Sequence, residues 1–313
     1  MRRTMMFGLA CMALISTAYV QTRDDFTGGF SPSLRWSWKL PGNNPLCTFD
    51  PNDPTAVSFT SNELVIQMRD GGMFSSVNAH RNVPSLTVTG SIPNNWYIET
   101  SFRIDWTPIG VDYYVQAGIV IFTSAQNYFQ VLVTRDAFNQ TTNVYGSTNL
   151  EENDSFEWGR RVTNPWAPDS DFIGLRIAHN PTDNTIELYF RHSGTGGWRL
   201  FDGFNGAVYP SGSRQYTFIQ QLLSTPGVKI GVYTDNAGGG YRDPFYFDYF
   251  ETNLSVAPAG DVNADGCVDD ADLLAVLFRF GNTGDCLDED VNLDGTVDDA
   301  DLLTVLFNFG SGC

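Results

Sequence analysis

Between residues 96 and 106 the chain alternates without a break. Trp96, Ile98, Thr100, Phe102, Ile104 and Trp106 fall on one parity, and Tyr97, Glu99, Ser101, Arg103 and Asp105 on the other. A two-residue period places the two sets on opposite sides of a pleated strand, which predicts one core face and one wet face. The same period recurs at 113–124, 128–135, 172–178, 185–192, 228–234 and 245–250, in β-branched and aromatic runs parted by Gly, Pro, Asn and Asp. Short strands at such regular intervals predict a mainly β fold, an antiparallel sandwich. No linker-like stretch interrupts residues 23–253, so they read as one large sandwich.

The period changes near residue 260. Leu273, Leu274, Val276, Leu277 and Phe280, then Leu302, Leu303, Val305, Leu306 and Phe309, recur at helical spacing, and Gly281 and Gly310 stop the two helices. Before each helix stands the same acidic loop. Asp261, Asn263, Asp265, Asp269 and Asp272 take positions 1, 3, 5, 9 and 12 of the first, with Gly266 at 6 and the Cys267 carbonyl at 7. Asp290, Asn292, Asp294, Asp298 and Asp301 repeat this in the second, with Gly295 at 6 and Thr296 at 7. Alternate residues of a tight loop converge oxygens on a hard cation when position 6 tolerates a sharp turn, as glycine does. These residues are therefore candidate ligands for two Ca2+ ions, with Asp at position 12 where the longer Glu is usual.

An ordinary EF-hand needs a helix on both sides of its loop. Pro258 and Gly260 precede the first loop, and a short stretch with Gly281 and Gly284 precedes the second, so no entering helix fits. This duplicated loop–helix arrangement, over roughly residues 258–313, resembles the dockerin family. That resemblance implies a calcium-dependent α-helical module at 261–313 that plugs a secreted protein into a cohesin-bearing partner. Such modules usually carry Ser/Thr at loop positions 10 and 11 and a Lys-Arg pair on the helix. Here those places hold Asp270-Ala271, Asp299-Ala300, Leu277-Phe278 and Leu306-Phe307, so the ions carry over and the cohesin-like partner stays open.

Charge agrees with a metal-bound tail. Of the net charge of −18, residues 260–313 supply thirteen acids against Arg279 alone. That distribution excludes a nucleic-acid footprint and implies that a cation is linked to folding of the tail. At the other end, Arg2 and Arg3, an apolar run at 5–15 and Ser16-Thr17-Ala18 read as a signal peptide, residues 1–20, too short to span a membrane. The protein is thus expected outside the cell. Once Cys11 leaves with the leader, Cys47, Cys267, Cys286 and Cys313 remain. One disulfide is expected among the three tail cysteines, with Cys47 either free and buried or paired with the one left over. No CxxC pair occurs and His80, His179 and His192 are scattered, which argues against zinc.

A second resemblance covers the sandwich. Asp24-Asp25-Phe26 with Leu34-Arg35-Trp36, then VQAGIVIF with Asn127-Tyr128, then GLRIAHN with TIELYFRHSGTGGWRLF, and finally VKIGVYTDN with YFDYF, follow the order of concanavalin A-like lectin/glucanase sandwiches. They look like the accessory domains at the C-terminus of some β-xylosidases, with 139–168 and 203–223 left unexplained. The Glu-x-Asp-x-x-Glu strand motif of the sandwich glucanases is absent, as are nucleophile elbows and phosphate loops. Glu99 and Glu187 are the nearest candidates for a hydrolytic pair.

Sugar binding needs exposed rings beside hydroxyl-seeking polar groups. Tyr97, Glu99, Tyr114, Gln116, Arg176, Glu187, Tyr189 and Arg191 fit on wet strand faces, with Trp158, Trp166 and Tyr241 on loops; Trp36, Trp38, Trp106 and Trp198 read as packing. Asp25 and Asp248 are candidates for a third Ca2+ inside the sandwich. The leading reading is a non-catalytic module that binds a polysaccharide or oligosaccharide, joined by a linker at 254–260 to the calcium tail. The alternatives are a glycoside hydrolase or polysaccharide lyase and a calcium-stabilised extracellular structural protein.

Overall fold

The computed structural model describes residues 21–41, 47–49, 54–68, 81–103, 114–136, 144–153, 155–158, 173–192, 197–201, 207–237 and 244–313. The expected leader, Trp106, Trp166 and Tyr241 lie outside them. In chain order the first strands are β1 (Thr22–Asp24), β2 (Trp36–Ser37), β3 (Val57–Phe59), β4 (Leu64–Gln67), β5 (Ser85–Thr87), β6 (Tyr97–Arg103), β7 (Tyr114–Ser124) and β8 (Asn127–Asp136). There follow β9 (Val144–Glu152), β10 (Ser155–Trp158), β11 (Ile173–Asn180), β12 (Thr185–His192), β13 (Arg199–Leu200), β14 (Val208–Pro210), β15 (Lys229–Ala237) and β16 (Pro244–Thr252). Three helices accompany them, α1 (Arg214–Leu223), α2 (Asp270–Arg279) and α3 (Asp299–Phe307).

Among the described residues the strands form two antiparallel sheets. One has nine strands, in the order β13-β12-β11-β6-β16-β4-β3 with β1 beside β16 and β14 beside β12; the other has seven, in the order β10-β9-β8-β7-β15-β5-β2. Ile98, Phe102, Leu175, Ile177, Phe245 and Phe247 of the first meet Ile119, Ile121, Phe129, Val131, Ile230 and Val232 of the second in one core, each at most 1% exposed. Each such side chain contributes about 1.5–3 kcal/mol by leaving water. The core parity read from the sequence, with Trp96, Ile98, Thr100 and Phe102 inside, is the one observed.

The two stretches left unexplained by the sequence hold regular elements. β9 and β10 lie in one of them, because opposite Ser147 and Asn149 stand Gly146, Thr148 and Leu150, a parity with too few apolar residues to mark a core face. In 203–223 stands α1, capped by Ser213, whose hydroxyl accepts from the Tyr216 N–H at 3.3 Å, with Phe218, Ile219, Leu222 and Leu223 turned into the core.

The tail has its own core of five valines, Val262, Val268, Val276, Val297 and Val305. Here the predicted apolar stripe divides. Leu273 and Leu302 pack against the valines, whereas Leu274, Leu277, Leu303 and Leu306 are about half exposed and Phe278 and Phe307 are 83% exposed. The helices are more apolar than so small a core can absorb.

Residues 254–260 are pinned to the sandwich. Ala257 donates its N–H to Thr87 O at 2.9 Å and accepts from Arg35 N at 3.2 Å, and Val256 and Pro258 form bridges with Val88 and Leu34. Disulfides join Cys267 to Cys313 within the tail and Cys47 to Cys286 across to the sandwich. Of the two arrangements expected for Cys47 this is the paired one, and it suits an oxidising, extracellular setting. Among the described residues no helix is long and apolar enough to cross a membrane.

Between sandwich and tail lies a cleft of about 490 Å3 that reaches from Lys229 to Asp261. Lys229 is 9% exposed and donates to Ser37 Oγ at 3.0 Å and to the Lys39 carbonyl at 2.9 Å. Burial, helped by repulsion from Arg35, lowers its pKa to about 7. Between about 7 and 10.5 the unfolded chain therefore holds a proton that the folded chain does not, so stability rises with pH across that window. The urea midpoint is expected to climb from about pH 7.5 to about 9.5 and to lose that slope in Lys229→Met. An identical slope in the variant would contradict the assignment.

Candidate functional site

Register brings six of the predicted binding residues onto one face. On the outer side of the nine-stranded sheet, Glu251, Glu99, Arg176 and Tyr189 stand in one row across β16, β6, β11 and β12. Tyr97, Ala178 and Glu187 form the row beside it, and Ser101, Gly174 and Arg191 the row on the other side. Tyr114 and Gln116 belong to β7, in the other sheet, and Trp158 closes β10 there.

The face is not open water, as the alternation had implied. Glu99 is 5%, Ser101 4% and Glu187 9% exposed, because arginines and rings from neighbouring strands lie over them. The Arg23 guanidinium sits 3.8 Å above the Tyr249 ring, Arg191 4.6 Å from the Trp198 ring, and Arg176 4.2 Å from Tyr97. Each desolvated cation–ring pair contributes roughly 0.5–2 kcal/mol. Trp198, expected as packing, is half-buried between Arg176 and Arg191 and opens onto the cleft described next.

Beyond that roof the same face opens into a cleft of about 460 Å3, with the rings of Tyr97, Tyr189 and Trp198 and the polar groups of Arg176, Glu187, Asn180 and Asn253 in its wall. These groups are held from behind. Tyr97 donates its hydroxyl to Glu251 Oε1 at 2.8 Å and its N–H to Asn253 Oδ1 at 2.8 Å. Glu187 accepts from Asn180 Nδ2 at 3.0 Å, from Thr185 Oγ1 at 3.1 Å and from the Tyr189 hydroxyl. Burial works to raise the Glu187 pKa, but the bonds from Tyr189, Asn180 and Thr185 outweigh it and the group stays ionised below its ordinary value. Burial and the same bond push Tyr189 up to about 12.

Glu99 differs. It accepts from the Tyr249 hydroxyl at 2.9 Å and lies 3.3 Å from Arg176 Nη1 in an ion pair without hydrogen-bond geometry, so among the described residues the buried Oε2 has no hydrogen-bond partner. Burial, then repulsion from Glu251, raises its pKa. β11 separates Glu99 from Glu187 by two strand spacings, roughly 10 Å, and each carboxylate is bound to its own neighbours. They do not converge on a common point as a hydrolytic pair requires.

The outer face of the seven-stranded sheet carries a polar layer that the sequence reading missed. Gln116 donates to Thr134 Oγ1 at 3.0 Å, Thr134 and Ser147 share a bond of 2.7 Å, and Asn149 donates to Gln130 Oε1 at 3.0 Å. All five are at most 5% exposed. Among the described residues the Asn149 Oδ1 atom has no hydrogen-bond partner. Tyr128 donates to Glu151 Oε2 at 2.9 Å, and its pKa is raised by burial and then by Glu151, with Asp235 adding to the effect. The detectable signal was Gln130 and Thr134 in one run and Ser147, Asn149 and Glu151 in the next, polar residues on the parity opposite the core.

In the tail the twelve candidate metal ligands fall in two superimposable loops. Asp261 accepts from Asp265 N at 3.1 Å and Gly266 N at 2.9 Å; Asp272 accepts from Val262 N at 2.7 Å, Asn263 N at 3.1 Å and Asp269 N at 2.9 Å. Asp265 accepts from Cys267 N at 3.0 Å, and Asp269 caps α2. Asp290, Asn292, Asp294, Thr296, Asp298 and Asp301 repeat these contacts to within 0.1 Å. Gly266 and Gly295 have φ of +97° and +89°, the left-handed turn that position 6 demands.

Asp261, Asp272, Asp290 and Asp301 are at most 2% exposed, and burial raises Asp261 and Asp290 to about 6. Such a donor set, two buried carboxylates with further side-chain and backbone oxygens on one tight loop, fits a hard cation. Among the described residues no three acidic, His or Cys side chains are drawn into a closed cage, the acids turning onto their own backbone instead. In the sandwich, Asp25 is 2.7 Å from Arg23, and Asp248, raised by burial, also feels the Asp25 charge.

No family model matches the chain, and no curated protein does. Among solved structures it superposes on xylan β-1,4-xylosidase from Bacillus halodurans C-125 with a TM-score of 0.50 and 17% identity, over 74% of this chain and 38% of that one. On Bacteroides ovatus xyloglucan PUL GH43B the TM-score is 0.50 and the identity 15%, over 74% and 39%. The chain thus matches well under half of either protein. At these identities the likeness is one of fold: a shared β-sandwich.

Proposed function

We propose that the chain is a secreted, non-catalytic carbohydrate-binding sandwich carried on a calcium-dependent dockerin-like tail. The observation that carries the first part is the cleft of Tyr97, Tyr189 and Trp198, whose rings stand beside fixed Arg176, Glu187 and Asn253. Sugar rings stack their apolar faces on such aromatics while charged and amide groups take the hydroxyls. In the tail, two Ca2+ ions would be held by Asp261, Asn263, Asp265, Cys267 O, Asp269 and Asp272 and by their counterparts in the second loop. The exposed stripes of Leu274, Leu277 and Phe278, and of Leu303, Leu306 and Phe307, then offer a partner protein of cohesin type an apolar seat.

The test is a panel of soluble and insoluble polysaccharides, starting with xylan and xyloglucan, scored for retention and for released reducing ends. Retention without release is expected, with Trp198→Ala weakening it about tenfold or more. Retention unchanged by Trp198→Ala and by Tyr189→Ala moves the site away from this cleft.

A second reading is a glycoside hydrolase, which the fold likeness to a xylan β-1,4-xylosidase supports. Release of reducing ends from any of these polysaccharides would favour this second reading over the non-catalytic one.

A further inference from the structure

We infer that Arg35 ties both cation loops to the sandwich, so that ion loading of the tail and ordering of the sandwich edge form one cooperative step. The inference rests on the calcium reading above and concerns how that site is regulated. Three kinds of contact meet at this junction.

The first is packing at the backs of the loops. Gly266 of the first loop lies against Thr89, where an added Cβ would stand 3.2 Å from the Thr89 Cβ. Leu293 of the second loop packs on the main sandwich core. The second is covalent and ionic. Cys286, between the loops, is bonded to Cys47, and nearby Asp288 pairs with Lys39 at 2.6 Å.

The third is Arg35 itself, 5% exposed and reaching from the sandwich to the tail. Its Nη1 donates to Trp36 O at 2.8 Å and its Nη2 to the Asp288 carbonyl, while its backbone N–H bonds to Ala257 of the connection. Among the described residues its Nε has no hydrogen-bond partner. The anions that act on the guanidinium are Asp288, Asp290, Asp261 and Asp301, drawn from both loops and the segment between them. Lys39 and Lys229, from the sandwich side of the same cleft, are the other charges facing it.

A buried guanidinium is costly unless anions compensate it. Here the compensation comes from Asp288, beside the second loop, and from Asp290, Asp261 and Asp301, which would also hold the ions. Arg35 therefore holds the metal-free loops against the sandwich and repels an incoming dication. Loading with Ca2+ fixes the loop carboxylates in place, and with them the surface on which Arg35, Thr89 and the connection rest. Without the Arg35 link, the ion would order the sandwich edge more weakly, through the Lys39–Asp288 pair and the Cys47–Cys286 bond only.

Hydrogen exchange of the full chain, with Ca2+ and with EDTA, tests this, together with calorimetric titration of Ca2+. In the wild type, protection of the amides in residues 33–40 is expected to rise about tenfold or more on adding Ca2+, alongside that of the loops. In Arg35→Met the loops should still gain protection, Ca2+ should bind several-fold more tightly for loss of the repelling charge, and the gain at 33–40 should fall several-fold below that of the wild type. Loop protection that rises in the wild type without any change at 33–40 overturns this inference alone, and that comparison stands even where the variant does not fold. No heat of Ca2+ binding in the wild type overturns the calcium reading and the inference with it.

Discussion

Chelation of divalent ions at pH 7.5 is expected to lower the first thermal transition by about 10 °C or more. Thirteen acids against Arg279 make residues 260–313 a self-repelling segment around a core of five valines, too little apolar surface to oppose that charge. An ion present at 100–1,000 times its dissociation constant contributes about 2.7–4.1 kcal/mol per site. Two sites together shift a small unit by tens of degrees if it melts alone, and by about 10 °C or more if it melts with the sandwich.

Protons provide an internal check. Burial, with repulsion from neighbouring acids, raises Asp261 and Asp290 to about 6 from an unfolded value near 3.8. Their contribution is therefore fully present below about 3.8 and lost as pH rises through about 6. The EDTA-treated protein should thus regain part of its melting temperature on moving from pH 7.5 to about 5, as protons partly take the place of the ion. Identical melts in EDTA and in millimolar Ca2+ would sink both the ion sites and this account of the acids.

Much of this layout was legible because it is local. Period-2 runs name the core faces of β6, β7, β8, β11, β12, β15 and β16, and the duplicated loop is a pattern of residues within twelve positions. The bonds that fix Glu187 are nearly as local, since Asn180, Thr185 and Tyr189 all lie in or beside the β11–β12 hairpin. What failed was the inference from polar parity to solvent. Glu99 is covered by Arg176 and Tyr249, which are brought over it only by the pairing of β11 and β16 with β6. The same is true of Gln116, which meets Thr134 through the β7–β8 pairing. A period of two says which side of a sheet a residue takes; what lies over that side is decided by strand order. The exposed Leu277-Phe278 and Leu306-Phe307 pairs show the converse, apolar residues at helical spacing that no core requires.

Two glycines separate fold from site, and substituting each by alanine is expected to give opposite results. At Gly118, in the middle of β7, an added Cβ would lie 2.0 Å from the Val131 carbonyl oxygen and 3.0 Å from the Leu132 Cα, both backbone atoms of the adjoining β8. Neither can give way without parting the two longest strands of the seven-stranded sheet, so Gly118→Ala should cost about 4 kcal/mol or more, beyond ordinary overpacking. A loss of about 10 °C or more in Tm, or an insoluble product, is the expected result. At Gly174, on β11, the added Cβ meets Arg191 Cγ at 2.8 Å, Nε at 3.0 Å and the Trp198 ring at 3.1 Å. These are side chains on the outer face, and Arg191 can swing aside. Gly174→Ala should therefore keep its Tm within a few degrees while displacing Arg191 from Trp198 and loosening the wall of the cleft. Glycan retention by this variant should fall several-fold, towards that of Trp198→Ala. Full retention in a Gly174→Ala protein whose Trp198 environment has visibly changed by fluorescence would show that the cleft is not where the sugar binds.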